Sequence, residues 1–435
     1  MTGGSPTPDQ SPAYAAPSHA MTEAKQLLAD PVATPAGTPS TARKVIALEA
    51  LRGIASLMVF VSHFWLAFAP HSHGLLAALQ LPGYTSLGIV GTPWFAAINA
   101  TAAVTFFFVL SGYVLSIGHF RRGRGSSLIS AALKRWPRLA MLTTLTTVAA
   151  ALMMSAGAYL HEPASASSDS TWLRTLGSAG LPEGFSPSLW QAFLEGVWRT
   201  FVHGEIFYNS NLWTMRFEFF GSFAVFALAF LTLKARNVLL RWLIWLLAGA
   251  WLTGISTYYL CFVLGLMLAY RDRLDRRPFP RGLSVGLLIV AVYFYGYFLP
   301  IGAYAWMPNA LDSHDARTLI YAAVAALLVM LFGRNGSLQH GLQNRLAKWL
   351  GEISFPLYLL HPLLLFSASS YLHLQLRALP PLPAVLINLA LTCALTFSLA
   401  TLLARLDARW VTWVNRAVQS GLHRLVSARN QPTDA

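Results

Sequence analysis

Along this chain, long apolar runs alternate with short connections that carry most of the charge. Ten runs stand out: 45–68, 97–117, 139–160, 217–233, 238–252, 256–270, 283–298, 319–332, 353–371 and 384–404. About 20 apolar residues in a helix cross a bilayer, so the longer runs predict transmembrane helices outright. The shorter ones need tilt, and the pair meeting near Gly254 reads either as two helices or as one helix with a re-entrant piece. The chain is therefore expected to be an all-α integral membrane protein, with about ten transmembrane helices in one bundle.

Composition agrees. Of 435 residues, 55% are hydrophobic and 11% charged, whereas a soluble domain carries about 25% charged residues to keep its surface in water. Cys261 and Cys393 both lie inside apolar runs, which argues against a disulfide framework or a cysteine metal site. Residues 1–41 are rich in Pro, Ser, Ala and Thr with no apolar run, and are expected to be a disordered tail. They lack the basic start and apolar core of a cleaved signal peptide. Residues 42–405 then form the membrane domain and 406–435 a C-terminal cytoplasmic segment. Within that segment, the spaced arginines and apolar residues of 410–425 predict an amphipathic helix on the inner surface.

The formal net charge of +14 raises the question of nucleic acid, and its distribution answers it. Lys and Arg gather in alternate connections and in both tails. Only Arg52, Arg174, Arg199, Arg216, Arg317 and Arg377 fall elsewhere. This is the positive-inside pattern; it implies two cytoplasmic termini and calls for a lipid bilayer, not nucleic acid, as partner. The segment 161–212 is then an outer loop, long enough to suggest a function of its own.

Ionisable groups inside apolar spans are costly and usually functional. In the first span Arg52 and His63 are eleven residues apart. At about 100° per residue that is three turns plus about 20°, so they share one face roughly 16 Å apart along the axis. Arg52 pairing with Glu49 is the structural alternative. The second span carries Phe107 to Tyr113 with Ser111-Gly112 at its centre, where small residues let helices approach closely. Arg135-Trp136-Pro137-Arg138 precedes the third span, as a positive anchor, a phosphate clamp or both. Glu218 opens the fourth span at the outer side, either orienting a catalytic histidine or forming a structural ion pair. In the ninth span, Ser354-Phe355-Pro356-Leu357-Tyr358-Leu359-Leu360-His361-Pro362 places Tyr358 and His361 beside backbone groups that the prolines free. His361 is left open between a site residue and a satisfied bundle histidine. Walker-type loops, His-Glu-x-x-His and serine-elbow motifs are missing.

Together these residues resemble the acyltransferase type 3 family of membrane O-acyltransferases. Leu48 through Arg52-Gly53 to His63 looks like its opening signature, and Phe107–Tyr113 is similar to its second motif. Arg135 and Arg138 match its Arg-x-x-Arg element, Trp213 with Glu218 its Trp-Ser-Leu-x-x-Glu element, and Ser354–Pro362 its Ser-Tyr-Pro-Leu-Tyr-Leu-x-His run. The chain departs from the pattern at Glu49, where aspartate is usual, at Thr214-Met215, and in the added charge of Arg216. The resemblance implies transfer of an acyl group, most often acetyl, from cytoplasmic acyl-CoA (acetyl-CoA) to a hydroxyl. The acceptor would be an extracytoplasmic surface glycan or a related molecule, the location the plasma (inner) membrane, and no metal is expected. It implies His63, Glu218 and Arg52 as catalytic residues, and Arg135, Arg138, Ser111, Tyr358 and His361 on the donor side. The rivals are a multi-span transporter or flippase using Arg52, His63 and Glu218 as a substrate or proton path, and an inert relative acting as a sensor.

Overall fold

The computed structural model describes residues 39–122, 126–274 and 277–429. Among these the chain is all-helical, and ten principal helices follow the apolar runs. They are α1 (Pro39–Phe68), α2 (Ala100–Arg122), α3 (Ser126–Ser155), α4 (Trp213–Lys234) and α5 (Val238–Ile255). After these come α6 (Thr257–Leu274), α7 (Arg281–Tyr295), α8 (His314–Arg334), α9 (Arg345–Leu364) and α10 (Pro381–Arg429). Eight of them are long and apolar enough to cross a membrane. The exceptions are α6 and α7. α7 has only 15 residues. α6 is interior and ends in charge: its Asp272 accepts from Tyr113 Oη of α2 (2.7 Å) and from Arg334 Nε and Nη2 of α8 (2.9 and 2.7 Å). A helix that faces protein on most sides needs less apolar surface than one that faces lipid.

The expected tail, residues 1–41, lies outside the described residues except for its last three, which belong to the first helix. α5 and α6 are separate helices, divided where Ser256 takes an extended conformation. Residues 410–425 are helical, and they continue α10, which runs unbroken for 49 residues, about 73 Å at a rise of about 1.5 Å per residue. The boundary expected at 405/406 therefore falls within one helix. No proline interrupts this stretch, and tertiary contacts hold it, since Trp410 Nε1 donates to Pro137 O of α3 (2.8 Å) and Val414 is buried.

Burial orders the bundle. The most apolar window of α9 is 89% buried, against 17% for α5 and 22% for α10, so α9 is the central helix and the other two are rim. α9 packs on α1 through two glycines. A Cβ on Gly53 would stand 2.5 Å from Leu350 backbone atoms, and one on Gly351 2.8 Å from the Glu49 backbone. Any larger residue would separate the helices, because real Cβ contacts are not that short.

Residues 161–212 are ordered. They include the helices His161–Ser168, Thr171–Arg174 and Leu189–Leu194, the last running on through a π-helical turn Glu195–Arg199. Ser168 and Ser170 donate to the Ala67 and Leu66 carbonyls (2.8 and 2.6 Å), two of the acceptors that a helix end leaves without partners. Thr147 and Thr143 of α3 donate to the Ala192 and Gly196 carbonyls (2.7 and 2.6 Å). Glu195 is buried and accepts from the backbone N–H groups of Phe207 and Tyr208 (3.0 and 3.1 Å). The segment is thus held against α3 before α4 begins.

Candidate active site

Two polar clusters sit on either side of Tyr358. The first surrounds a cavity of about 290 Å³, lined by Arg52, Ser111, Arg135, Arg138, Glu218 and Tyr358 among apolar groups such as Phe107 and Met215. Arg52 Nε donates to Ser354 Oγ (2.9 Å) and its Nη2 to the Gly351 carbonyl (3.1 Å). It is therefore anchored to α9, where the structural alternative had it on Glu49. Arg135 donates to Ser222 Oγ (2.7 Å) and forms a buried ion pair with Glu218, while Ser111 Oγ donates to Glu218 Oε1 (2.7 Å). Arg138 also lines the cavity. Among the described residues its side chain has no hydrogen bond or ion pair, so its guanidinium donors are free for a ligand.

The second cluster is a histidine pair. His63 Nδ1 lies 3.0 Å from His361 Nε2. On its other side His361 Nδ1 lies 2.9 Å from the Leu357 carbonyl, which only accepts, so Nδ1 carries the proton. In the neutral ring Nε2 is then bare. It accepts from Asn211 Nδ2 (3.2 Å) and from the Nδ1–H of His63. It follows that His63, when neutral, keeps its own Nε2 as an unprotonated lone pair. A carbonyl and one histidine thus select the tautomer of the other. Trp172 from the 161–212 segment covers the His63 ring at 4.8 Å between centroids, and Phe366 packs against Trp172 at 5.8 Å.

Between the clusters, α9 stays helical through both of its prolines but loses a backbone donor. Pro362 has no N–H for the Tyr358 carbonyl, and Asn211 Nδ2 supplies the missing donor at 2.8 Å. Asn209 Nδ2 also donates to the Leu359 carbonyl (2.8 Å), and a π-helical turn, Leu365–Ser369, follows. Such turns recur at functional sites. Tyr358 Oη reaches the Asn211 carbonyl and Thr214 Oγ1, each at 3.2 Å, so it closes the cavity on the side of the histidines.

The expected residues are therefore split. Arg52, Ser111, Arg135, Arg138, Glu218 and Tyr358 meet at the cavity. His63 and His361 meet each other and do not line it. Two assignments are corrected. Glu218 does not orient His63: its carboxylate is bonded to Arg135 and to Ser111 at the middle of α2. His361 is the side chain bonded to His63, and it sits in the histidine pair and not on the cavity. Asn209, Asn211 and Trp172 went unread in the sequence. The only signal was the polar run Asn209-Ser210-Asn211 directly before Trp213, and nothing local ties it to prolines 150 residues away.

Replacing Asn211 by leucine leaves the Tyr358 carbonyl buried without a donor and removes a contact to His361. A loss of about 1–3 kcal/mol is expected, read as a lower melting temperature in detergent. A melting curve equal to wild type would show that water replaces the amide.

Among the described residues no group of three or more His, Cys, Asp or Glu is arranged to hold a metal ion. Residues 45–402 match the family model described as an acyltransferase domain. Comparisons with curated proteins and with solved structures give no match.

Proposed function

Since this chain belongs to the acyltransferase type 3 family, with a match over most of its length, we propose that it is an O-acyltransferase. It takes an acyl group, acetyl first among them, from cytoplasmic acyl-CoA and passes it to a hydroxyl of an extracytoplasmic glycan or a related acceptor. The observation that carries this is the pairing of an arginine-lined cavity, in which Arg138 is free, with a histidine whose Nε2 is a bare base just beyond Tyr358. In this scheme Arg135 and Arg138 hold donor phosphates. Arg52 sits nearer Ser354 and steadies negative charge developing on the thioester oxygen. His63 Nε2 takes the proton of the acceptor hydroxyl as its oxygen bonds to the acyl carbon, and the coenzyme A thiolate leaves. Alternatively Nε2 first takes the acyl group itself and then yields it to the hydroxyl. Both routes need the same tautomer.

The test is deletion of the gene and complementation, with two readouts. Membranes carrying the protein should release free thiol from acetyl-CoA. Base-labile esters on envelope and extracellular glycans, measured by mass spectrometry, should vanish on deletion and return with the wild-type gene. Esters that are unchanged on deletion would remove the glycan acceptor. Membranes that release no thiol would remove the donor and favour a transporter.

A further inference from the structure

The family match ends at residue 402, yet the cavity is finished by a residue beyond it. Asp407, on the continuous part of α10, lines the cavity together with Glu49, Glu218 and Glu352. Trp410, one turn further on, holds this part of α10 against the Arg-x-x-Arg element through its bond to Pro137 O. Among the described residues Asp407 Oδ1 is buried with no hydrogen-bond partner, and Arg138 and Arg52 line the same cavity. Four guanidinium groups line the cavity, those of Arg52, Arg121, Arg135 and Arg138, and with Asp407 the four carboxylates balance them. Glu218 is committed to Arg135, whereas Asp407 has spent no bond on any of the four. A carboxylate with one buried oxygen that lacks a donor is costly to keep, and in a neutral cavity it directly opposes an anionic ligand that binds Arg138.

We propose that Asp407 is a charge-setting residue of the donor cavity, a resident counter-ion to Arg138 and Arg52 that weakens capture of an anionic acyl donor and so eases release of the anionic product. This rests on the donor reading above. One unit charge acting across about 12 Å at an effective dielectric of about 20 is worth roughly an order of magnitude in affinity.

The experiment measures binding of coenzyme A and of dephospho-coenzyme A to the full-length protein in nanodiscs. Asp407→Asn should lower the Kd of coenzyme A about tenfold and steepen its dependence on salt. The gain should be smaller for dephospho-coenzyme A, which carries less charge. Asp407→Glu should behave as wild type. A Kd that is unchanged or raised in Asp407→Asn, or an equal gain for both ligands, would overturn the proposal, because a merely structural role does not scale with ligand charge. Arg138→Gln separates the two levels. If it weakens binding while Asp407→Asn has no effect, only the counter-ion role falls. If wild type binds neither ligand, the donor reading falls as well.

Discussion

Replacing His63 by alanine is expected to lower acyl transfer by about a thousandfold, the middle of the usual range for a lost general acid–base group. Binding of coenzyme A should be unchanged, because His63 does not line the cavity. The combination is diagnostic: chemistry is lost and donor affinity kept. His361→Leu tests the tautomer argument independently. It removes the acceptor of the His63 Nδ1–H, so the proton is free to sit on either nitrogen and the ring to turn. A smaller loss is expected, with a shifted pH–rate profile. Undiminished ester formation by His63→Ala would end its assignment as base or acyl carrier. An unshifted profile in His361→Leu would end the tautomer lock.

The second large effect is structural. Glu218→Ala strips the partner from Arg135, whose side chain is only 10% exposed, and leaves Ser222 as its one remaining polar contact among those described. Breaking a buried pair by removing one partner costs about 3–5 kcal/mol, because the other charge stays buried. The variant should melt well below wild type in detergent, or fail to accumulate in membranes. Removing both charges, as Glu218→Leu with Arg135→Met, should recover most of that stability, since well-packed apolar groups replace buried pairs at little cost. It should not recover coenzyme A binding if Arg135 holds phosphate. Full stability of Glu218→Ala alone would mean that water reaches the guanidinium through the cavity.

These expectations show where sequence and structure divide the work. Apolar runs announce helices because lipid leaves a backbone no other way to satisfy its hydrogen bonds short of a closed barrel. The helical periodicity that set Arg52 and His63 on one face needs no partner to be computed, and both residues do meet α9. Pro356 and Pro362 lie inside α9, which stays helical through both, and Pro362 withholds a backbone donor in the same local way. The spacing of Arg135 and Arg138, three residues apart and both on the cavity, is likewise a property of one helix.

What was not legible depended on depth and on partners far away in the chain. Glu218 begins an apolar run, which sets it at a membrane surface if the run alone is read. Contacts of Thr143, Thr147 and Glu195 hold the preceding segment against α3, and the Glu218 carboxylate is bonded to Arg135. Asp407 lies among basic residues that look like a solvated tail, until Trp410 binds Pro137 and turns it toward the cavity. The proton positions on His63 and His361 follow from one carbonyl and one hydrogen bond spanning 298 residues. Local pattern determined which segments are helices, which side chains share a face and where the central helix lacks a backbone donor, because backbone hydrogen bonding and helical pitch act within a few residues. Only the tertiary structure decided which charge meets which and which nitrogen is bare, because those depend on atoms a few ångströms apart in space and hundreds of residues apart in sequence.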